Sequence, residues 1–269
     1  MGEKLANAPV YFTIAQVRHN PILSVQDYLT VIQESMRREG YPDYKRVPSF
    51  QIVLPQPASG EASQVSTPAA QQVERYLFST LDGTRGFIVE PGALSLQTTE
   101  YETYEAFSGE FFKGLRIIHE ALKLDYTERV GIRYLDAVVP PTDKEIGEYL
   151  VPGALGISAV LPDSVQVTQS FSQTDILTPV GTLIARAIIR NGPLGFPIDL
   201  QPLGLNVAER FSKIQGVHAI LDTDAYYFGR EKFDVDALQS RFRALHDVIG
   251  TAFWATVTNR AKEAFRQST

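Results

Sequence analysis

Cysteine is absent from this 269-residue chain, so disulfides, zinc ribbons, thiol nucleophiles and iron–sulfur clusters are excluded together. Histidine is scarce, at four residues, and no two stand in the His-Glu-x-x-His spacing of a helical zinc site. No serine sits in a Gly-x-Ser-x-Gly elbow, and no glycine-rich loop ends in Gly-Lys-Ser or Gly-Lys-Thr to cradle a nucleotide phosphate. Positive charge is also in short supply: 25 Lys and Arg stand against 31 Asp and Glu, for a net charge of −6. Nucleic-acid binding needs clustered basic side chains, so it is not expected, and neither is a polybasic membrane patch. No apolar run approaches membrane-spanning length, and Met1 to Ala8 holds no apolar segment of signal length. The expectation is a soluble cytoplasmic protein without a cofactor or a membrane partner.

What is present is core. Hydrophobic residues make up 44% of the chain, and a chain of this length buries roughly three quarters of its unfolded surface. Val10 to Arg18 carries apolar side chains on both parities, the pattern of a central strand. Val25, Tyr28, Leu29, Ile32 and Met36 then recur at helical spacing behind Ser24, and Gly40 ends the run. Phe50 to Leu54 reads as a second strand. Residues 55–72 hold almost no large apolar side chain and read as a mobile loop between strands.

Val73 to Leu124 is the most legible stretch. Arg75 to Thr80, Arg85 to Glu90 and Ala93 to Thr98 form a meander punctuated by Asp82-Gly83, a two-residue hairpin signal, and Pro91-Gly92. Thr99 to Glu102 has the spacing of a capping box. The helix behind it presents Tyr101, Tyr104, Ser108, Phe111, Leu115, Ile118 and Leu122 on one face.

The second half repeats the order approximately. Glu128 to Val139 is a strand, and Asp143 to Leu150 reads as a short helix. Val165 to Gln173 and Leu183 to Arg190 pair around Pro179-Val180-Gly181, and Val217 to Tyr227 is a further strand. Asp234 to Phe265 is a long helix burying Leu238, Phe242, Leu245, Ile249 and Phe253. The expected fold is α+β, with antiparallel sheets and long helices on one face. It is divided into a β-α-β(4)-α half over 1–125 and a β-α-β-β-β-α half over 126–269, a tandem duplication within one compact unit.

Several signatures occur together: Leu5-Ala6-Asn7-Ala8-Pro9-Val10, Gln97-Thr98-Thr99-Glu100-Tyr101, Arg129-Val130-Gly131-Ile132-Arg133-Tyr134, and Leu245-His246 with Phe253. As a set they resemble a sporadically distributed bacterial protein family of unknown function, over nearly the whole chain. The resemblance implies no catalytic residue, and its sporadic occurrence suits an accessory role such as defence or toxin–antitoxin regulation. The element order of each half is also similar to the TATA-binding-protein-like topology, a likeness of fold alone.

Candidate chemistry is sparse. His218, Asp222 and Asp224 share a strand parity, and Asp222 with Asp224 could hold a divalent metal. His218 lies about 20 Å from Asp224 along an extended strand, outside any common ligand shell. His246 and His119 read as packed helix residues, and His19 as an exposed turn residue. The glutamates at 100, 102, 105 and 110 suit a helix start. The apolar loop from Asn191 to Gly204 presents Leu194, Phe196, Ile198 and Leu200, which must either fold back over the core or form an interaction surface. The leading expectation is therefore a non-enzymatic protein that binds a protein partner or itself, with a homodimer as the simplest form. One alternative is a small-molecule sensor whose helix-on-sheet pocket is tipped by the tyrosines at 76, 101, 104 and 134. Another is a metal-assisted hydrolase built on Asp222 and Asp224.

Overall fold

Val10–His19 forms strand β1, and its two apolar faces place it in the interior of a nine-stranded sheet. The computed structural model describes residues 5–53, 69–162, 164–165, 167–200 and 202–267. The remaining strands are β2 (Asp43–Val53), β3 (Ala69–Ser79), β4 (Arg85–Glu90), β5 (Ala93–Thr98), β6 (Tyr126–Val138), β7 (Gln169–Thr178), β8 (Gly181–Asn191) and β9 (Val217–Lys232). Their order is β2-β3-β4-β5-β1-β6-β9-β8-β7, and every neighbouring pair is antiparallel. The first five strands and the last four thus make one sheet, joined where β1 meets β6. From that seam the order runs β5, β4, β3, β2 on one side and β9, β8, β7 on the other.

The helices are α1 (Leu29–Arg38), α2 (Tyr104–Leu122), α3 (Pro152–Leu155), α4 (Glu209–Ser212), α5 (Val235–Thr256) and α6 (Asn259–Arg266). The buried stripes of α2 and α5 lie on one face of the sheet, where Phe242 stacks on Phe111 at 5.3 Å and meets Phe112 edge-on at 5.5 Å. Gly114 lets α2 sit this low, because a Cβ there would fall 2.2 Å from the buried Phe87 ring. Among the described residues no helix is long and apolar enough to cross a membrane.

The opposite face is covered by chain rather than by long helices. Residues 191–216 cross it as a strap, pinned by Tyr11 donating to the Gly195 carbonyl at 2.8 Å and Gln97 donating to that of Leu203 at 2.6 Å. Phe196 packs on Tyr11 at 5.3 Å and on Phe12 at 5.5 Å. The apolar loop therefore lies over a second core made of Tyr11, Phe12, Leu135, Ala137, Ile188, Phe211 and Ile220.

Several local expectations are corrected. Residues 69–72 of the expected loop belong to β3, while 55–68 lie outside the described residues. Strand β2 starts at Asp43, seven residues before Phe50, and tolerates Pro48 because it is an edge strand. The Asp82-Gly83 connection spans 80–84, since the Asp82 carboxylate accepts from Thr80 Oγ1 and from both Thr84 N and Oγ1, closing a wider loop. The true cap of α2 is Thr103, accepting from Ala106 N, because Thr99 spends its hydroxyl on the Asn206 carbonyl at 2.5 Å. Asp143 to Leu150 yields only a 3-10 turn at Ile146–Glu148. Leu150 instead bridges Val257, which holds Val257 extended and splits the expected 234–265 helix into α5 and α6. Thr258 caps α6 and donates to the Glu148 carbonyl at 2.6 Å.

A candidate ligand cleft between two helices

Strand parity decides what the helices cover. On β6, Val130, Ile132 and Tyr134 point toward α2 and α5, while Leu135 and Ala137 point toward the strap. Asp136 follows the even parity and lines a cavity of about 490 Å³ between α2 and α5. The walls come from five segments remote in sequence: Leu5 to Val10 leading into β1, Tyr101 to Glu105 entering α2, Tyr134 and Asp136 on β6, Arg243 to Trp254 on α5, and Arg266 at the end of α6. Helical spacing puts Arg243, His246, Asp247, Gly250 and Trp254 along that side of α5. A Cβ added at Gly250 meets no atom within 4 Å, so the missing side chain leaves open space and not a close contact.

Aromatic rings form the deep end. Tyr134 Oη lies 3.1 Å from His246 Nδ1 and 3.3 Å from Tyr101 Oη. Tyr104 stacks on the His246 ring at 4.3 Å, and Tyr101 meets Tyr134 edge-on at 5.2 Å. Burial lowers the His246 pKa, which favours the neutral ring. Burial likewise pushes the Tyr134 hydroxyl well above its usual range and the Tyr104 hydroxyl up to about 12. Nearer the mouth, Arg243 lies over the Tyr104 ring at 4.6 Å and 3.7 Å from Glu105.

Asp136 is the anomaly. It is 7% exposed, and among the described residues no side-chain hydrogen bond or ion pair reaches its carboxyl. Burial, aided by the negative charge of Asp222 across the sheet, pushes its pKa up to about 8. A buried carboxyl without a donor is costly to hold charged, and such groups cluster at functional sites. The sequence does carry a signal for it: Asp136 is the one acid within Tyr134-Leu135-Asp136-Ala137-Val138, at an inward position of a buried strand. Reading Glu128 to Val139 as a strand without assigning its faces passes over it.

The residues singled out from sequence divide between the two faces. Tyr101, Tyr104, Tyr134 and His246 converge on the cleft, whereas Tyr76 lies elsewhere and donates to Glu74 at 2.9 Å. Asp222 and Asp224 share the strap face with His218, as their parity implies. Asp222, fully buried, accepts from Arg133 Nε and Nη2 at 2.7 Å each and from Arg186 Nη1 at 3.0 Å. Asp224 lies 3.8 Å from Arg129, and His218 accepts or shares a hydrogen with Arg190 Nε at 3.3 Å. Guanidinium groups occupy the oxygens a metal would need, and no group of three His, Asp or Glu among the described residues could hold an ion.

Leu194, Phe196 and Leu200 pack inward beneath the strap, while Ile198 is 100% exposed. His119 stacks on Phe233 at 4.2 Å. His19, expected in solvent, is buried at the end of β1 with Nδ1 2.8 Å from the Asn20 carbonyl, because β1 continues one residue further than its sequence pattern. Glu110 pairs with Arg85 at 2.8 Å, Glu105 with Arg243, and Glu102 lines the cleft. Comparison with known proteins finds no matching family model, no matching curated protein and no matching solved structure.

Proposed function

We propose that this protein is a non-enzymatic small-molecule binder, and that its ligand seats in the cleft between α2 and α5. The observation that carries this reading is Asp136, a buried carboxyl that no described side chain pairs with and that faces a cavity of ligand size. Supporting it, Leu5 to Val10, Tyr101, Tyr134, His246 and Phe253, all drawn from the motifs behind the family resemblance, meet around this one space. The same family membership and a tandem duplication remain part of the proposal. The duplication is supported by the matching strand order on the two sides of the β1–β6 seam, with no counterpart of β2 beyond β7.

The test is a thermal-shift screen of small molecules on the parent and on Gly250→Trp, whose Cβ meets no atom within 4 Å and whose ring is meant to fill the cleft. A ligand specific to the folded state raises the melting temperature, by the equivalent of about 2.7 kcal/mol at a hundredfold excess over Kd. Hits are expected on the parent and lost in Gly250→Trp. Hits that survive the substitution would place binding elsewhere.

Self-association, the second reading, has its own observation. Strand β7 is a sheet edge with Phe171, Ile176 and Leu177 exposed, and exposed apolar edges invite pairing with another chain. Light scattering after size exclusion is expected to give a dimer for the parent and a monomer for Leu177→Lys. A parent that stays monomeric at high concentration removes this reading.

A further inference from the structure

Resting on the cleft reading, we infer that the ligand is an organic ammonium with an apolar body, its nitrogen seated on Asp136 and its body between Ile249, Phe253 and Val10. Three independent features of the cavity select a cation. The first is the Asp136 carboxyl, which receives no side-chain donor from the described residues and lines the cavity directly. An ammonium group brings three donors and a charge of the opposite sign, so it supplies both things that burial has removed.

The second feature is the ring system. Tyr101, Tyr104, Tyr134 and Trp254 line the same space, and an aromatic face attracts a cation through its quadrupole. Tyr104 already holds one guanidinium, that of Arg243, at 4.6 Å on this principle. The third is the charge balance. Four carboxyl groups, those of Glu102, Glu105, Asp136 and Asp247, line the cleft against the two guanidinium groups of Arg243 and Arg266. Arg243 and Glu105 stand 3.7 Å apart, so these two charges counter each other and three carboxyl groups remain against Arg266 in the lining.

A carboxylate ligand would meet the opposite arrangement. Its charge would approach Asp136 with Asp222 behind the same sheet, and the Tyr101 and Tyr134 hydroxyls at the floor are already engaged with each other and with His246. A neutral ligand could accept from Asp136 while that group is protonated, but it would leave the aromatic faces without their cation. The apolar lining, which includes Leu5, Val10, Ile249 and Phe253, accounts for the body of the ligand and argues against a small hydrated ion.

Phenethylammonium, 2-phenylethanol and 3-phenylpropanoate share one body and differ in the terminal group, so calorimetric titration with each separates the possibilities. The ammonium is expected to bind the parent, and to bind Asp136→Asn roughly thirtyfold more weakly, the scale of losing one partner of a buried charged pair. Gly250→Trp is expected to abolish binding while the circular dichroism spectrum stays that of the parent. Equal affinity of the ammonium for the parent and Asp136→Asn overturns the inference. So does tighter binding of the alcohol or the carboxylate; if Gly250→Trp blocks that binding, the cleft reading stands while the ligand class falls. Failure of all three probes on the parent also overturns the ligand class, and the wider screen of the parent against Gly250→Trp then decides whether the cleft falls with it.

Discussion

Asp136→Asn is expected to be more stable than the parent above pH 8, and the advantage is expected to vanish toward pH 4. The sign follows from the direction of the shift. Burial raises the folded-state pKa of Asp136 from 3.8 to about 8, so between those values the folded chain holds a proton that the unfolded chain has released. Stability contributed by this group is therefore fully present below pH 4 and is lost as pH rises through 8. At about 1.4 kcal/mol per pH unit, the cost at pH 9 has a ceiling of roughly 6 kcal/mol. Asparagine keeps the shape without the charge and escapes that cost. Urea denaturation of both proteins at pH 5, 7 and 9 measures the difference. A gap that does not change with pH would show that Asp136 is not a strained carboxyl.

Asp222→Ala is expected to lose about 3–5 kcal/mol, the penalty of removing one member of a buried ion pair. Asp222 is fully buried and holds two guanidinium groups, those of Arg133 and Arg186, with three hydrogen bonds between 2.7 and 3.0 Å. Its removal leaves Arg186 with Gln173 as its one hydrogen-bond partner among the described residues, at 2.8 Å. Arg133 keeps Asp199 on the strap, but the Asp199 side chain is 55% exposed. Asp199→Ala is therefore the control, with an expected loss of about 0–1 kcal/mol, because water screens exposed pairs. Chemical denaturation with an unchanged slope separates the two variants. Losses of equal size would mean that the strap pair, and not the buried triad, secures this face.

The elements with strong periodicity were legible because their burial is local in origin. Val10 to Arg18 is apolar on both parities and does sit between two neighbours, and the helical stripes ending at Leu122 and Phe253 are buried as their spacing implies. Other features depend on partners far away in the chain. Nothing near Val257 announces that Leu150 will bridge it and divide a helix. The strap hides Phe196 because Tyr11 and Phe12, more than 180 residues earlier, offer it an apolar sheet face, and the Tyr11–Gly195 bond alone spans 184 positions. Pairing of Asp222 with Arg133 likewise crosses 89 residues, so a parity argument could place Asp222 and Asp224 on one face without revealing that arginines already fill their surroundings.

The cleft lies at the far end of that scale. The sequence groups Tyr101, Tyr104 and Tyr134 with Tyr76 as the polar tips of a pocket and sets His246 apart as a packed helix residue. Their convergence depends on α5 returning over β6 after more than a hundred residues, with the Tyr134–His246 contact separated by 112 positions. Asp136 was the clue available locally. An acid at an inward strand position needs either a partner or a purpose, and the described residues supply no partner.

The carboxyl carbon of Asp136, followed by NMR as pH is varied in the free protein, tests this account at its base. A midpoint near 8, moving downward when an organic ammonium is added, is the expected result. A midpoint in the ordinary carboxylate range, unmoved by any ligand, would mean that water or the chain already satisfies this group, and the cleft would lose its claim to be a binding site.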